Sequence, residues 1–167
     1  MRSRLLWALL LGVLGAALYV GNIVATPANG FTPTTVATGT FGDLNSLVHT
    51  GAWSESIKTR GKSDLYVQSN VWQPGGTTGW HTHPGPSLII VTQGSITEYE
   101  GSDPHCTPHV YTAGTPNNTL VDVGGGDVHI IRNESATETA MTVAVQLVPA
   151  GATRRQDIPN PPGNCPF

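Results

Sequence analysis

Hydrophobic and polar residues alternate along short stretches of the chain from residue 64 onward, as they do in half-buried β-strands. In residues 64–73, Leu65, Val67 and Val71 alternate with polar side chains, and the Pro-Gly-Gly of residues 74–76 ends the stretch. Further strands are predicted at 80–83, 87–92, 95–100, 110–113, 119–123, 128–132 and 139–148. So many short strands with turn residues between them predict an all-β fold, either a sandwich or a barrel.

The chain before residue 64 lacks this alternation. Residues 43–49 and 53–58 are predicted to form only short helical turns. Residues 26–40 are rich in Thr, Pro, Ala and Gly and are predicted to be a flexible leader. We therefore predict a single domain at residues 41–167, a length that can bury its own core.

The first 25 residues have the order of a secretory signal. Arg2 and Arg4 make the start basic, an apolar run follows, and small residues gather near Ala25. Residues 5–25 are also close to the roughly 20 residues that span a bilayer, so a retained anchor stays open beside a cleaved signal peptide. Either alternative predicts an extracytoplasmic domain that meets the membrane only through this segment.

The composition excludes one class of partner. Charged residues make up 11% of the chain, and the formal net charge is −3. Lys and Arg are too few and too scattered to form a basic surface, so we expect no binding to nucleic acids. The 20 Gly and 13 Pro fit tight turns between short strands.

The chain has two cysteines, Cys106 and Cys165. An even number of cysteines in an oxidising compartment predicts a disulfide, which would tie the proline-rich C-terminal stretch to a mid-chain loop. The alternative takes His105, Cys106 and His109 as a second metal cluster, which requires Cys106 to be a free thiolate.

Two glycine-rich stretches carry residues with metal-binding chemistry. Residues 75–83 end in His81 and His83, whose side chains share one face of a predicted strand. In residues 124–133 a Gly-Gly-Gly turn leads into a strand that carries His129. Three neutral imidazoles suit one divalent transition metal ion (Fe, Cu, Mn, Ni or Zn) and leave coordination positions free for a ligand.

In their spacing these two stretches resemble the two sequence motifs of the cupins. The residues that fall at the motif offsets are Gly75, His81, His83 and Gly94 in the first motif, and Gly126, His129 and Asn133 in the second. The resemblance implies the small jelly-roll β-barrel of that family, with one metal ion on the three histidines. Paired barrels are common among such proteins, so a homodimer is an assembly that the resemblance allows.

The chain departs from the first motif at Ser87, where the motif has a glutamate. The resemblance therefore implies a three-histidine site, and an ion without a protein carboxylate should favour an anionic or chelating ligand. Ser87, Gln93 and Asn133 are the candidates for hydrogen-bonding residues around the ligands. No residue is an evident general base, so the catalytic residues are unknown at this stage.

Three functions remain open under this interpretation. The first is an exported metal-dependent dioxygenase that acts on a small chelating or anionic substrate. The second is a non-catalytic protein that captures a metal or a small ligand outside the cytoplasm. The third is a metal-assisted lyase or isomerase. The resemblance allows all three, because a fold does not fix a function.

Overall fold

The computed structural model describes residues 27–167, which form twelve β-strands and no helix. In chain order the strands are β1 (Asn29–Phe41), β2 (Asn45–Thr50), β3 (Trp53–Lys58), β4 (Ser63–Thr77), β5 (His81–Thr82), β6 (Ser87–Gln93), β7 (Ser95–Glu100), β8 (His109–Thr112), β9 (Thr119–Asp122), β10 (His129–Arg132), β11 (Ala140–Pro149) and β12 (Gln156–Asp157). The predicted signal or anchor segment, residues 1–25, lies outside the described residues. Within residues 27–167, no helix is long and apolar enough to cross a membrane.

Ten of the strands form one sheet that curls into a nearly closed barrel. The hydrogen-bonded order is β12-β5-β10-β4-β11-β6-β9, with β1 added to β4 and with β7 between β10 and β8. All the strand pairs are antiparallel. The prediction of an all-β jelly-roll barrel is confirmed.

The interior of the barrel is built from alternate residues of the strands. In β6, for example, Ser87, Ile89 and Val91 are buried, whereas Leu88 and Ile90 between them are exposed. The apolar inward positions form one core of Trp72, Ile89, Val91, Ile96, Leu120, Ile131, Ala140 and Ala144. Burying a large apolar side chain contributes about 1.5–3 kcal/mol, so this core holds the strands that carry the polar inward positions described below.

The first strand corrects the prediction of a flexible leader at residues 26–40. β1 pairs with β4 from Asn29 to Phe41, with two register shifts. Its side chains are exposed apart from the half-buried Phe31, so no alternation in the sequence marks it as a strand. Pro33 is tolerated because β1 pairs only with β4, and an outer strand has N–H groups that need no partner in the sheet.

The prediction of helical turns at 43–49 and 53–58 is wrong. β2 and β3 pair with each other as a separate two-stranded sheet, joined by a turn in which Gly51 has a φ of 60°. Nearly all the side chains of this hairpin are exposed. Without a buried face, the sequence carries no period-2 signal that would indicate strands.

Candidate metal centre

Three histidines converge inside the barrel. His81 on β5 lies directly opposite His129 on β10 in an antiparallel pair, and His83 follows β5 by one residue. All three are buried, and one ring nitrogen of each lies within 4.8 Å of the corresponding nitrogens of the other two. The structure thus brings together the three predicted ligands in a group that can hold a metal ion.

Backbone carbonyl groups fix two of the three rings. His81 Nδ1 lies 2.9 Å from the Gly79 oxygen, and His83 Nδ1 lies 2.8 Å from the Arg154 oxygen. Because a carbonyl oxygen only accepts hydrogen bonds, each Nδ1 carries the proton and each Nε2 keeps a free lone pair. Metal-binding histidines are commonly held in this way through their second ring nitrogen.

Burial keeps the three imidazoles neutral. Loss of hydration is the main cause that lowers the pKa of His81 well below 6.5, and the nearby His129 and Arg155 lower it further. Loss of hydration also lowers the pKa of His83, and it lowers that of His129 to about 4. Neutral imidazole is the form that binds metal, so the donor set fits a divalent transition metal ion.

A glycine shapes the loop that leads to His129. Gly124 has a φ of 65°, and a Cβ at this position would collide with the carbonyl oxygen of Gly85. The N–H of Gly124 also donates to Asp122 Oδ1 at 2.8 Å. Gly124 therefore lets its loop pack closely against the loop of Gly85, and its N–H holds the carboxylate of Asp122 in position.

This carboxylate, Asp122 on β9, is a site residue that the sequence analysis missed. Its side chain is fully inaccessible to solvent, with Oδ2 at 3.5 Å from His83 Nε2 and Oδ1 at 3.8 Å from His129 Nδ1. The available signal was an aspartate at an alternate, inward position of the predicted strand 119–123. Its place beside the histidines depends on the pairing of β9 with β6, which a single sequence does not reveal.

A chain of hydrogen bonds links the carboxylate to an arginine. Ser87 Oγ donates to Asp122 Oδ2 at 3.3 Å and accepts from Gln146 Nε2 at 3.0 Å. Arg154 Nη1 donates to Gln146 Oε1 at 3.3 Å and to Gln68 Oε1 at 2.7 Å. Ser87 therefore lies at the site, where its hydroxyl group supports a carboxylate instead of replacing one.

The other two candidates for supporting residues lie away from the histidines. Gln93 is exposed, and its side chain donates to the Thr139 oxygen at 3.3 Å, at a point where the pairing of β6 with β11 shifts register. Asn133 is buried but donates to three backbone carbonyls, with the shortest distance, 2.7 Å, to the Glu138 oxygen. Asn133 thus fixes the turn after β10.

The histidines line a cavity of about 40 Å³. One water needs roughly 10–15 Å³ of such space, so the cavity holds a few waters or a ligand of a few atoms. Arg154 and Arg155 also line it. Arg155 pairs with Asp157 at 2.6 Å, whereas none of the ion pairs within residues 27–167 includes Arg154. The guanidinium of Arg154 therefore faces the cavity without a carboxylate partner.

The cysteines take no part in metal binding. Cys106 and Cys165 form a disulfide, so the alternative cluster of Cys106 with His105 and His109 lacks its thiolate. In the part of the chain that the structure describes, only His81, His83 and His129 form a group with metal-ligand spacing.

Comparison with known proteins identifies the fold. No protein-family model and no curated protein matches the sequence. Among solved structures, the polyketide cyclase RemF from Streptomyces resistomycificus is 15% identical and superposes with a TM-score of 0.50, covering 84% of this chain and 82% of its own.

Two further structures are similar over shorter parts. A cupin-like protein from Thermotoga maritima is 20% identical to this chain, with a TM-score of 0.46. The match covers 56% of this chain and 64% of the Thermotoga protein, which is less than two thirds of that protein's length. A cupin superfamily protein from Desulfitobacterium hafniense is 10% identical, with a TM-score of 0.41, over 69% of this chain and 81% of its own. With its curled antiparallel sheet and its likeness to RemF over most of both chains, the chain has a jelly-roll β-barrel fold, which is the fold that its two histidine stretches predict.

Proposed function

We propose that the protein is an exported, metal-binding cupin that acts as a dioxygenase on a small anionic substrate. The observation that carries this proposal is the cluster of three buried, neutral histidines on a small cavity that a guanidinium also lines. A bound redox-active ion would supply the activation of dioxygen. The chain itself supplies three imidazole ligands, exclusion of bulk water and a charge that orients the substrate.

Arg154 gives the reason to expect an anion. Its guanidinium stays charged in proteins, and its hydrogen bonds to Gln68 and Gln146 leave that charge without a counter-ion. A small carboxylate in the cavity would provide one, because charge-assisted hydrogen bonds to guanidinium groups are among the strongest in proteins. The cavity volume of about 40 Å³ favours a small substrate.

Two features support export of the domain. The first 25 residues have the order of a secretory signal, and the disulfide of Cys106 and Cys165 is a bond that persists in oxidising compartments. We therefore propose that the metal site works outside the cytoplasm.

One observation favours a second candidate, the non-catalytic binding of a metal or a small anion. In this chain of contacts Ser87 and Gln146 carry no basic group, and both oxygens of Asp122 already accept hydrogen bonds, from Ser87 Oγ and from the Gly124 N–H. A binding protein has no need for a general base. A dioxygenase at this site would have to obtain the base from a ligand of the ion or from the substrate itself.

Metal analysis and oxygen uptake test the proposal. Protein purified without chelators is expected to hold one equivalent of iron, copper, manganese or nickel and to consume dioxygen with one member of a panel of small hydroxy, keto and thiol acids. His129→Ala should lose both the metal and the uptake, whereas His105→Ala, which removes an exposed histidine, should keep them. Full metal occupancy without any uptake would support the binding protein, and a wild-type protein that takes up no metal would refute both the dioxygenase and the metal-binding protein.

A further inference from the structure

We propose that a groove on the outside of the barrel binds an amphipathic anion, namely a free fatty acid. The groove has a volume of about 650 Å³. It is lined by the end of β3 and the loop after it on one side, and by the outer face of β4, β11 and β6 on the other. No residue lines both this groove and the histidine cavity, so the inference goes beyond the proposed function and does not depend on a metal ion.

Outward-facing side chains make one wall of the groove apolar. Leu65 on β4 is paired with Leu147 on β11. Two residues earlier on β11, Val145 is paired with Leu88 on β6, and Leu88 is 59% exposed. Paired side chains lie on the same face of a sheet, so these four residues form a continuous apolar row. The outer face of an antiparallel sheet is normally polar, and an exposed apolar row indicates that an apolar group covers it.

Three cations line the same groove. They are Lys58, Arg60 and Lys62, half of the six Lys and Arg residues at positions 27–167. None of the three takes part in an ion pair within those residues, and no Asp or Glu lines the groove. One acid reaches the loop, since Asp43 Oδ1 accepts a hydrogen bond from the Gly61 N–H at 3.1 Å. The cations outnumber it, so the groove offers positive charge beside the apolar wall.

This combination is complementary to an anion that carries an alkyl chain. Sites for small molecules are typically clefts of about 300–1,000 Å³ that are mostly apolar with a few polar groups, and the groove falls within that range. A second copy of the chain that packed face to face would cover the apolar row but would bring no acid to the cations. The exposed residues of the outer face beyond the groove, Ile90, Val121 and Val143, are all apolar.

Calorimetry with fatty acids of increasing length tests the inference. Below the micelle concentration, the Kd should fall up to about 15-fold for each two methylenes from octanoate to dodecanoate, because the wall covers the added groups. An excess of acetate, which is small enough for the histidine cavity, should not displace dodecanoate. Dodecyltrimethylammonium has the same chain and the opposite charge, so it should bind about tenfold more weakly or worse.

A pair of variants on β6 locates the site. Leu88→Glu places a negative charge on the apolar wall and should raise the Kd for dodecanoate more than about tenfold. Ile90→Glu is the matched control, because Ile90 is the next outward residue of the same strand, is 49% exposed and does not line the groove. This control should keep the Kd of the wild type.

A third variant tests the charge without touching the apolar wall. Lys58→Gln/Arg60→Gln/Lys62→Gln should raise the Kd for dodecanoate about tenfold at low salt, since three exposed charges that attract the carboxylate are lost. High salt screens such attraction, so the difference from the wild type should shrink as the salt concentration rises.

Four outcomes would overturn the inference. They are a Kd that does not depend on chain length, a Leu88→Glu variant that binds dodecanoate like the wild type, equal losses in Leu88→Glu and Ile90→Glu, and a triple variant with an unchanged Kd at low salt. A protein that sediments as a dimer and binds no dodecanoate would also overturn it, and would assign the groove to a second copy of the chain.

Discussion

Arg154 serves the site through two independent groups. Its backbone oxygen accepts the hydrogen bond that fixes the ring of His83, and its guanidinium reaches Gln68 and Gln146 at the cavity. The backbone contact does not depend on the side chain. Substitution at this residue can therefore separate the recognition of an anion from the holding of a metal ligand.

Arg154→Gln is expected to weaken binding of an anionic ligand while leaving the metal content unchanged. A hydrogen bond to a charged group contributes about 1.5–3 kcal/mol, so the Kd of a bound carboxylate should rise about 10- to 100-fold. Calorimetry of the metal-loaded protein with small carboxylates measures this change. Arg132→Gln is the control, because that guanidinium pairs with Glu134 instead of lining the cavity. Equal losses in both variants would contradict the assignment.

Single residues also show where prediction from the sequence succeeds and fails. His81, His83 and His129 were predictable because their spacing is carried by two short stretches. Asp122 was not, because its position depends on which strand lies beside β6. Gln93 was a candidate for the site, but a register shift near the end of β6 interrupts the alternation of inward and outward side chains, and Gln93 is exposed.

At the scale of elements, burial decides which strands the sequence reveals. The barrel strands from β4 to β11 have buried faces, except β8, whose residues are exposed or half-buried. The predicted positions agree with the structure to within a few residues. β1, β2 and β3 have almost none, so their residues look like a linker or like turns. Their conformation comes from pairing with a neighbour, which no local pattern records.

Strand β7 carries a buried acid outside the histidine cluster. Glu98 is 4% exposed, and burial raises its pKa from 4.5 to about 7, with repulsion by Glu100, Asp122 and Asp127 adding to the shift. The Tyr111 hydroxyl donates to it at 3.3 Å and partly opposes the increase. The barrel therefore holds this carboxyl group in its protonated form more readily than the unfolded chain does.

The pH dependence of stability follows from that shift. Because native Glu98 binds its proton more tightly, its contribution is fully present below pH 4.5 and is lost as the pH rises to about 7. His109 on β8 is paired with Glu98 in the sheet, and its side chain is exposed to solvent. We expect the melting temperature of the metal-free wild type to fall more steeply over this range than that of Glu98→Gln. Parallel curves for the two proteins would show that Glu98 does not titrate in this way.

At the scale of the whole molecule, the segment after β11 folds back over the metal site. β12 pairs with β5, and the Ile158 N–H donates to the Trp80 oxygen at 3.0 Å. Asn164 donates to the backbone oxygens of Glu100 and Asp103, and the disulfide fastens the same region. The segment carries Arg154, so the site is complete only when this segment is in place.

Removal of the disulfide tests that dependence. The bond closes a sequence separation of 59 residues, so Cys106→Ser/Cys165→Ser should lower the free energy of unfolding by about 4 kcal/mol. Because the segment that holds His83 becomes looser, the Kd for Co²⁺ should also rise. Denaturant titration and chelator competition measure the two effects, and the wild type in a reducing buffer should behave like the variant. An unaffected Kd would show that the segment stays in place without the bond.

The dependence of His83 on the Arg154 oxygen has a consequence for biosynthesis. A chain that leaves the ribosome or crosses a membrane from its N-terminus delivers β5 and β10 well before residue 154. During that transit the His83 ring has no acceptor to set its tautomer, and the pocket is open on the side that β12 later covers. We therefore expect the proposed ion to bind only after the segment around residue 154 has folded against β5.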